Sequence, residues 1–291
     1  MAYGTPATPD DVEAYYTHVR RGRPPPPDLL ADLRRRYDAI GGTSPLLERT
    51  RAQAAGVQAA LGPGFKVELG MKHAPPFIED GVARLAAAGI REAVGAVLAP
   101  HYSVLSVGEY AARVRATPPV LSDTLGMTFV ESWHLAPDYI ELLRGLLEGA
   151  CRDLGAAPTH VLFTAHSLPA RILEAGDPYP QQLRETAEAV AAAAGIDDWS
   201  IAWQSAGRTA DPWIGPDVLE VLPELAARGY AGVVVCPAGF VSDHLEVLYD
   251  LDIEAAAAAE KVGLRFGRTG APNDHPLLCR AVAAAIREAR G

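Results

Sequence analysis

Read for hydrophobic and polar positions, the chain repeats one phrase. A short apolar, β-branched run stops at a cluster of Gly, Pro, His and hydroxyl residues, and an Ala- and Leu-rich stretch with helical spacing follows. The runs are Phe65–Leu69, Ala93–Ala99, Met127–Glu131, Val161–Thr164, Ser200–Trp203, Val233–Cys236 and Val262–Phe266. Helical patterns between them cover Ile78–Ala88, Tyr139–Leu154, Pro180–Ala194, Val218–Ala227 and Ile253–Lys261, and Pro276–Ala289 closes the chain. Alternating strands and helices predict βαβ units with parallel sheets. The expectation is an α/β chain of two Rossmann-like domains, 1–152 and 153–291, with a cleft between them and the last helix packing across the boundary. The opening Met1-Ala2-Tyr3-Gly4-Thr5-Pro6 reads as the end of a strand and its turn, so the first strand itself is expected to be missing before Met1.

Six polar clusters fall at the carboxyl ends of the predicted strands: Gly70–His73, Pro100–Ser103, Ser132–His134, Ala165–Ser167, Gln204–Ser205 and Gly239–Glu246. In open parallel sheets that edge binds ligands. One such cluster is an ordinary polar turn; six favour a shared cleft.

Composition removes several classes. At 49% hydrophobic and 21% charged residues the chain is globular rather than disordered. A net charge of −10 argues against nucleic acid or an anionic membrane as partner. No apolar run reaches the length of about 18 residues that a spanning helix needs, and Met1 is followed by neither a basic flank nor an apolar core, so no export signal is expected. The cysteines Cys151, Cys236 and Cys279 are odd in number and far apart, which suits neither a disulfide framework nor a zinc motif. The chain reads as cytoplasmic. It carries no GxGxxG or P-loop pattern.

Candidate chemistry concentrates in three places. His166, at the end of Val161–Thr164, can accept a proton or ligate a metal through a neutral ring nitrogen; a structural histidine is the alternative. Glu246, Asp250 and Glu254 are spaced i, i+4, i+8, which on a helix aligns three carboxylates. Like charges at that spacing repel, so the row is either a solvated acidic face or a track for a hard divalent ion such as Mg²⁺ or a hydrated metal in transit. Near the start, Arg20, Arg21 and Arg23 precede a proline run; with Lys72 they either mark a linker or hold an acidic ligand.

These segments together resemble the ferrochelatases, which insert ferrous iron into a porphyrin. The likeness runs from Met1 to about Pro276. Its motifs are Ala2–Pro6, Tyr15–Arg23, Arg36–Leu46, Met71-Lys72-His73 with Pro76–Asp80, Leu98–Ser103, Ala165–Pro169, Gly176–Pro180, Trp203-Gln204-Ser205 with Pro212–Asp217, and Gly239–Glu254. The resemblance implies two chelatase-type domains around the active-site cleft. It implies His166 and Glu246 as the catalytic pair and iron ligands, with Tyr3 approaching from the opposite face of the ring. It also implies porphyrin contacts from Tyr3, Arg20, Arg21, Ser44, Lys72 and Tyr102, and an outer hydrated-metal site of Arg36, Asp250 and Glu254, where Mg²⁺ is a candidate occupant. The spelling is that of the Gram-positive type, which implies coproporphyrin as substrate and transient contact with other haem-pathway enzymes. Some members carry an iron–sulfur cluster on four cysteines, and three distant cysteines predict none here. The alternatives are a sister chelatase loading cobalt or iron into a reduced tetrapyrrole such as sirohydrochlorin, and a haem or porphyrin carrier without catalysis.

Overall fold

The computed structural model describes residues 1–118, 125–155, 157–209 and 211–291. The second half is built on a four-stranded parallel sheet of β3 (Thr159–His166), β4 (Trp199–Gln204), β5 (Gly232–Cys236) and β6 (Arg265–Arg268), in the order β4-β3-β5-β6. Both faces are covered, so the central strands read as continuous apolar runs. Along β3 the two faces alternate with the pleat. Val161, Phe163 and Ala165 enter a core shared with the helices Pro137–Leu154, Tyr179–Ala194 and Pro276–Arg290. Leu162 instead joins Val233 and Val235 of β5 in a second core, under the helices Val218–Ala227 and Ala256–Lys261.

In the first half β1 (Glu92–Gly95) pairs in parallel with β2 (Gly126–Phe129), Ala93 opposite Met127. Beside them, the Leu98 N–H bonds to the Met1 carbonyl at 2.9 Å and the Ala2 N–H to the Gly70 carbonyl at 3.1 Å, so Met1 and Ala2 lie between two chain segments. Ala2 forms a parallel bridge with Met71. Helices Ile78–Ala87 and Val107–Arg115 bury Ile78, Val82, Val107 and Val114 against Val97 and Leu125.

Two expected strands differ. Phe65–Leu69 forms no strand: Gln58 reaches over from the helix Leu46–Leu61, donating to the Phe65 carbonyl at 3.0 Å and accepting from the Val67 N–H at 2.8 Å. A side chain thus takes bonds that a ladder would have made. The run Val262–Phe266 yields a strand only from Arg265, because Val262 ends the preceding helix and Gly263, at φ +78°, turns the chain. The last helix, Pro276–Arg290, packs on the helix Leu46–Leu61 from the other half. Arg287 donates to the Ala60 carbonyl at 2.7 Å, and a side chain at Gly56 would collide with Cys279.

Candidate active site

After β3 the chain crosses to β4 on one side, and it later returns to place β5 on the other. The carboxyl ends of β3 and β5 therefore flank the point where strand order reverses, which is where open α/β sheets leave a crevice. His166 is the last residue of β3, and the segment after β5 runs from Pro237 to the short helix Leu245–Leu248. Close packing brings the two together. The Gly239 N–H donates to the Thr164 carbonyl at 3.0 Å, and a Cβ on Gly239 would come within 2.8 Å of the Ala165 Cα. From β4, Gln204 donates to the Glu246 carbonyl at 3.2 Å while accepting from the Thr164 hydroxyl at 2.8 Å. A hydrogen-bond chain thus fixes the backbone of Glu246 to β3 and β4.

His166 Nε2 lies 3.7 Å from Glu246 Oε2, and His244 Nε2 lies 3.5 Å from the same oxygen. The Nδ1 atom of His166 faces the Ser167 carbonyl at hydrogen-bond distance, which leaves Nε2 toward the carboxylate. Tyr179 donates to the His166 carbonyl at 3.0 Å. Burial lowers the affinity of His166 for its proton, but the Glu246 charge outweighs it and the imidazole is pushed up to about 9. Burial acts on Glu246 in the opposite direction and is overridden by His166 and His244, which hold the carboxyl well below the usual range. At neutral pH the pair is imidazolium and carboxylate, sharing one proton.

Both residues line a cleft of about 560 Å³ open to solvent on one side. Tyr3, Arg21, Ser44 and Lys72 line it too, and so does Trp213, whose ring centroid is 6.4 Å from that of His166. Lys72 is ion-paired with Glu109, and Arg21 lies 3.8 Å from the same carboxylate. An acidic ligand entering here competes with Glu109. Arg20 and Tyr102 are not on the cleft wall. Arg20 lies over the Tyr16 ring with its Nε buried and unpartnered, and Tyr102 packs beside the Val107–Tyr110 core.

Beyond Glu246 the helix does not continue regularly. Asp250–Ala255 is a π-helical turn, a distortion that widens the helix and recurs at functional sites. It carries Asp250 to Ser205, whose hydroxyl donates to Asp250 Oδ2, and to Arg36, whose Nη1 lies 3.1 Å from Asp250 Oδ1. Arg36 Nη2 lies 3.9 Å from Glu254 Oε1, and its guanidinium covers the Tyr249 ring at 4.8 Å. The repulsion expected along the row is thus relieved by a guanidinium. Burial pushes the Asp250 carboxyl up to about 7 despite Ser205 and Arg36. Among the described residues, no group of three or more His, Cys, Asp or Glu is arranged to hold a metal ion.

Three contributors escaped the sequence reading. His244 was visible two residues before Glu246. Asp32, which accepts from Arg36 Nε at 3.1 Å, stood at the i, i+4 spacing of a helical ion pair. Ser205, with φ +61°, stood in the polar cluster after β4 but was not singled out as a partner of Asp250.

The parallel sheets and their flanking helices give this chain a chelatase-type fold. The sirohydrochlorin chelatase SirB from *Bacillus subtilis* subspecies *spizizenii* in complex with cobalt aligns with TM-score 0.57 at 12% identity, over 83% of this chain and 89% of that one. SirB from *Bacillus subtilis* with Fe³⁺ aligns with TM-score 0.60 at 14% identity, over 83% and 88%. Within that class the chain belongs to the ferrochelatase family, whose model matches residues 1–290. The coproporphyrin III ferrochelatase of *Geobacillus kaustophilus* (strain HTA426) is 44% identical, covering 98% of this chain and 93% of the relative. That of *Bacillus subtilis* (strain 168) is 42% identical, covering 100% and 96%. No described helix is long and apolar enough to cross a membrane.

Proposed function

We propose that this chain inserts ferrous iron into coproporphyrin, with His166 and Glu246 as the groups that exchange pyrrole protons for the metal. The observation that carries this reading is the approach of their side chains within one cleft. Insertion requires two proton departures, loss of water from the iron and a puckered ring. The Glu246 carboxylate offers an oxygen to the incoming ion, whose positive charge drives the His166 proton to solvent and frees the imidazole to accept one from a pyrrole. Tyr3 meets the ring from the opposite side. Ser44, Arg21 and Lys72 receive propionates, with Arg20 and Tyr102 supporting that edge. Coproporphyrin has more propionates than protoporphyrin, which suits a basic cleft edge whose cations are now held by Glu109. The relatives at 42–44% identity favour this over a sirohydrochlorin-type chelatase, whose likeness is one of fold.

Asp250 and Glu254 form the outer metal site. Their oxygens and the Ser205 hydroxyl suit Mg²⁺, which keeps several waters of its own, and Arg36 belongs to the site as the partner of both carboxylates. The resident ion would supply positive charge that screens the carboxylate row. The two halves, 1–152 and 153–291, act as rigid walls of the cleft, no iron–sulfur cluster is formed, and the protein works in the cytoplasm with passing contacts to haem-pathway enzymes. The deciding experiment compares turnover on coproporphyrin and protoporphyrin; equal rates with both would overturn the substrate assignment.

A further inference from the structure

At the edge of the cleft, His18 and His73 face each other with their Nδ1 atoms 3.1 Å apart. His18 ends the helix Val12–Val19 and is exposed; His73 is half-buried and lines the cleft. The ring planes are nearly perpendicular, at 77°, and Phe77 stacks against His18 at 5.3 Å. Tyr3 lies next along the wall, its ring centroid 4.6 Å from that of His73. Beyond His18 a shallow depression carries Asp10 and Glu13.

We propose that His18 and His73 form an entry site that holds a hydrated first-row divalent cation through their two Nδ1 atoms, at the mouth of the cleft beside Tyr3. This deepens the iron-insertion reading and rests on it for its purpose.

The geometry suits such an ion. With metal–nitrogen lengths of about 2.1 Å, two nitrogens 3.1 Å apart subtend about 95° at the metal, close to a cis pair in an octahedron. Imidazole is a suitable ligand for iron, cobalt and zinc. Two protein ligands leave the remaining positions to water, so the ion is held loosely enough to move on. Both rings are in the metal-binding, uncharged form: burial and the neighbouring Arg113 lower His18, and burial, Lys72, His18 and Arg113 lower His73 to about 3. The two neighbouring cations are each paired with a carboxylate, which weakens their repulsion of a metal. Arg113 is held by Glu79 through two bonds of 2.7 and 2.9 Å, and Lys72 is held by Glu109. Without metal, one Nδ1–H donates to the other ring. Binding moves that proton to Nε2 of the same ring, so no net proton is released. Asp10 and Glu13 raise the local cation concentration outside, although Glu13 is shared with Arg34 at 3.3 Å.

The test uses the full chain without porphyrin, titrated with Co²⁺ and followed by its visible absorption and by calorimetry. His18→Asn and His18→Asn/His73→Asn are expected to bind one equivalent fewer than the wild type, while His166→Ala keeps that equivalent. Because His18 is exposed, the single variant folds even where the double does not, and far-UV circular dichroism checks both. Unchanged stoichiometry and affinity in folded His18→Asn overturns the site. In turnover assays, His18→Asn is expected to raise KM for iron at least threefold with KM for porphyrin unaltered. Loss of the Co²⁺ equivalent with an unaltered iron KM overturns the role in supply. The binding arm needs no porphyrin, so it stands or falls separately from the reaction assigned above.

Discussion

Gly239 and Ala165 touch backbone to backbone, the loop after β5 lying on the end of β3, and this contact decides where Glu246 stands relative to His166. A methyl group at position 239 would meet the Ala165 Cα at 2.8 Å. Neither partner is the end of a flexible side chain, so the backbones must part.

Gly239→Ala is therefore expected to destabilise the fold by about 1–3 kcal/mol, as overpacking does. It should also lower metal insertion in the molecules that remain folded. Urea unfolding and turnover on the same preparation check both effects; wild-type stability would show that the strand end yields freely.

His166→Ala removes the imidazole of the dyad, which acts as the base once the incoming cation has displaced its proton. Removing a general base costs about 10²–10⁴ in rate, so insertion of Zn²⁺ or Fe²⁺ should fall by at least about a hundredfold. Porphyrin affinity, read by fluorescence quenching, should stay close to wild type. Near-normal turnover would contradict the assignment.

Asp250→Ala combined with Glu254→Ala frees Arg36 and empties the outer carboxylate row. Apparent metal affinity should drop by about tenfold, the lower end of losses seen when supporting groups around a metal are removed, with porphyrin KM little altered. Steady-state kinetics with each substrate varied in turn makes the comparison, and an unchanged metal dependence would remove this row from the supply of iron.

The dyad also predicts a pH dependence of stability. The folded His166 imidazole titrates at about 9 against an ordinary 6.5, so its contribution is complete below pH 6.5 and disappears as pH rises through 9. Glu246 is shifted the other way: its contribution is present above its ordinary 4.5 and is lost only as pH falls far below that value. The stability gap between wild type and His166→Gln, measured by chemical denaturation, should be widest near pH 6 and shrink by pH 9.5. A gap that stays constant over that range would mean that the pair is not coupled to folding.

Much of this molecule was legible in its residues. Short apolar runs located β3, β4 and β5; the central strands β3 and β5 are buried along nearly their whole length and so are apolar on both faces. Alternation with helices gave the parallel α/β class, and the motifs around Ala165-His166-Ser167 and Gly239–Glu254 identified the family. Periodicity is a local property and reports whether a segment can be a strand, not whether a partner lies beside it. That is why Phe65–Leu69, its backbone bonded by Gln58, forms none. The same limit applies to the course of the outer carboxylate row. Glu246, Asp250 and Glu254 looked like one stripe on a regular helix; the π-turn after Tyr249 instead delivers Asp250 to Ser205 and Arg36, from elements distant in sequence. The sequence by itself determined which residues could carry charge and chemistry. Only tertiary structure decided that Ser205 reaches the outer carboxylates and that two histidines meet at the rim, because those encounters depend on how strands are ordered and how closely loops pack.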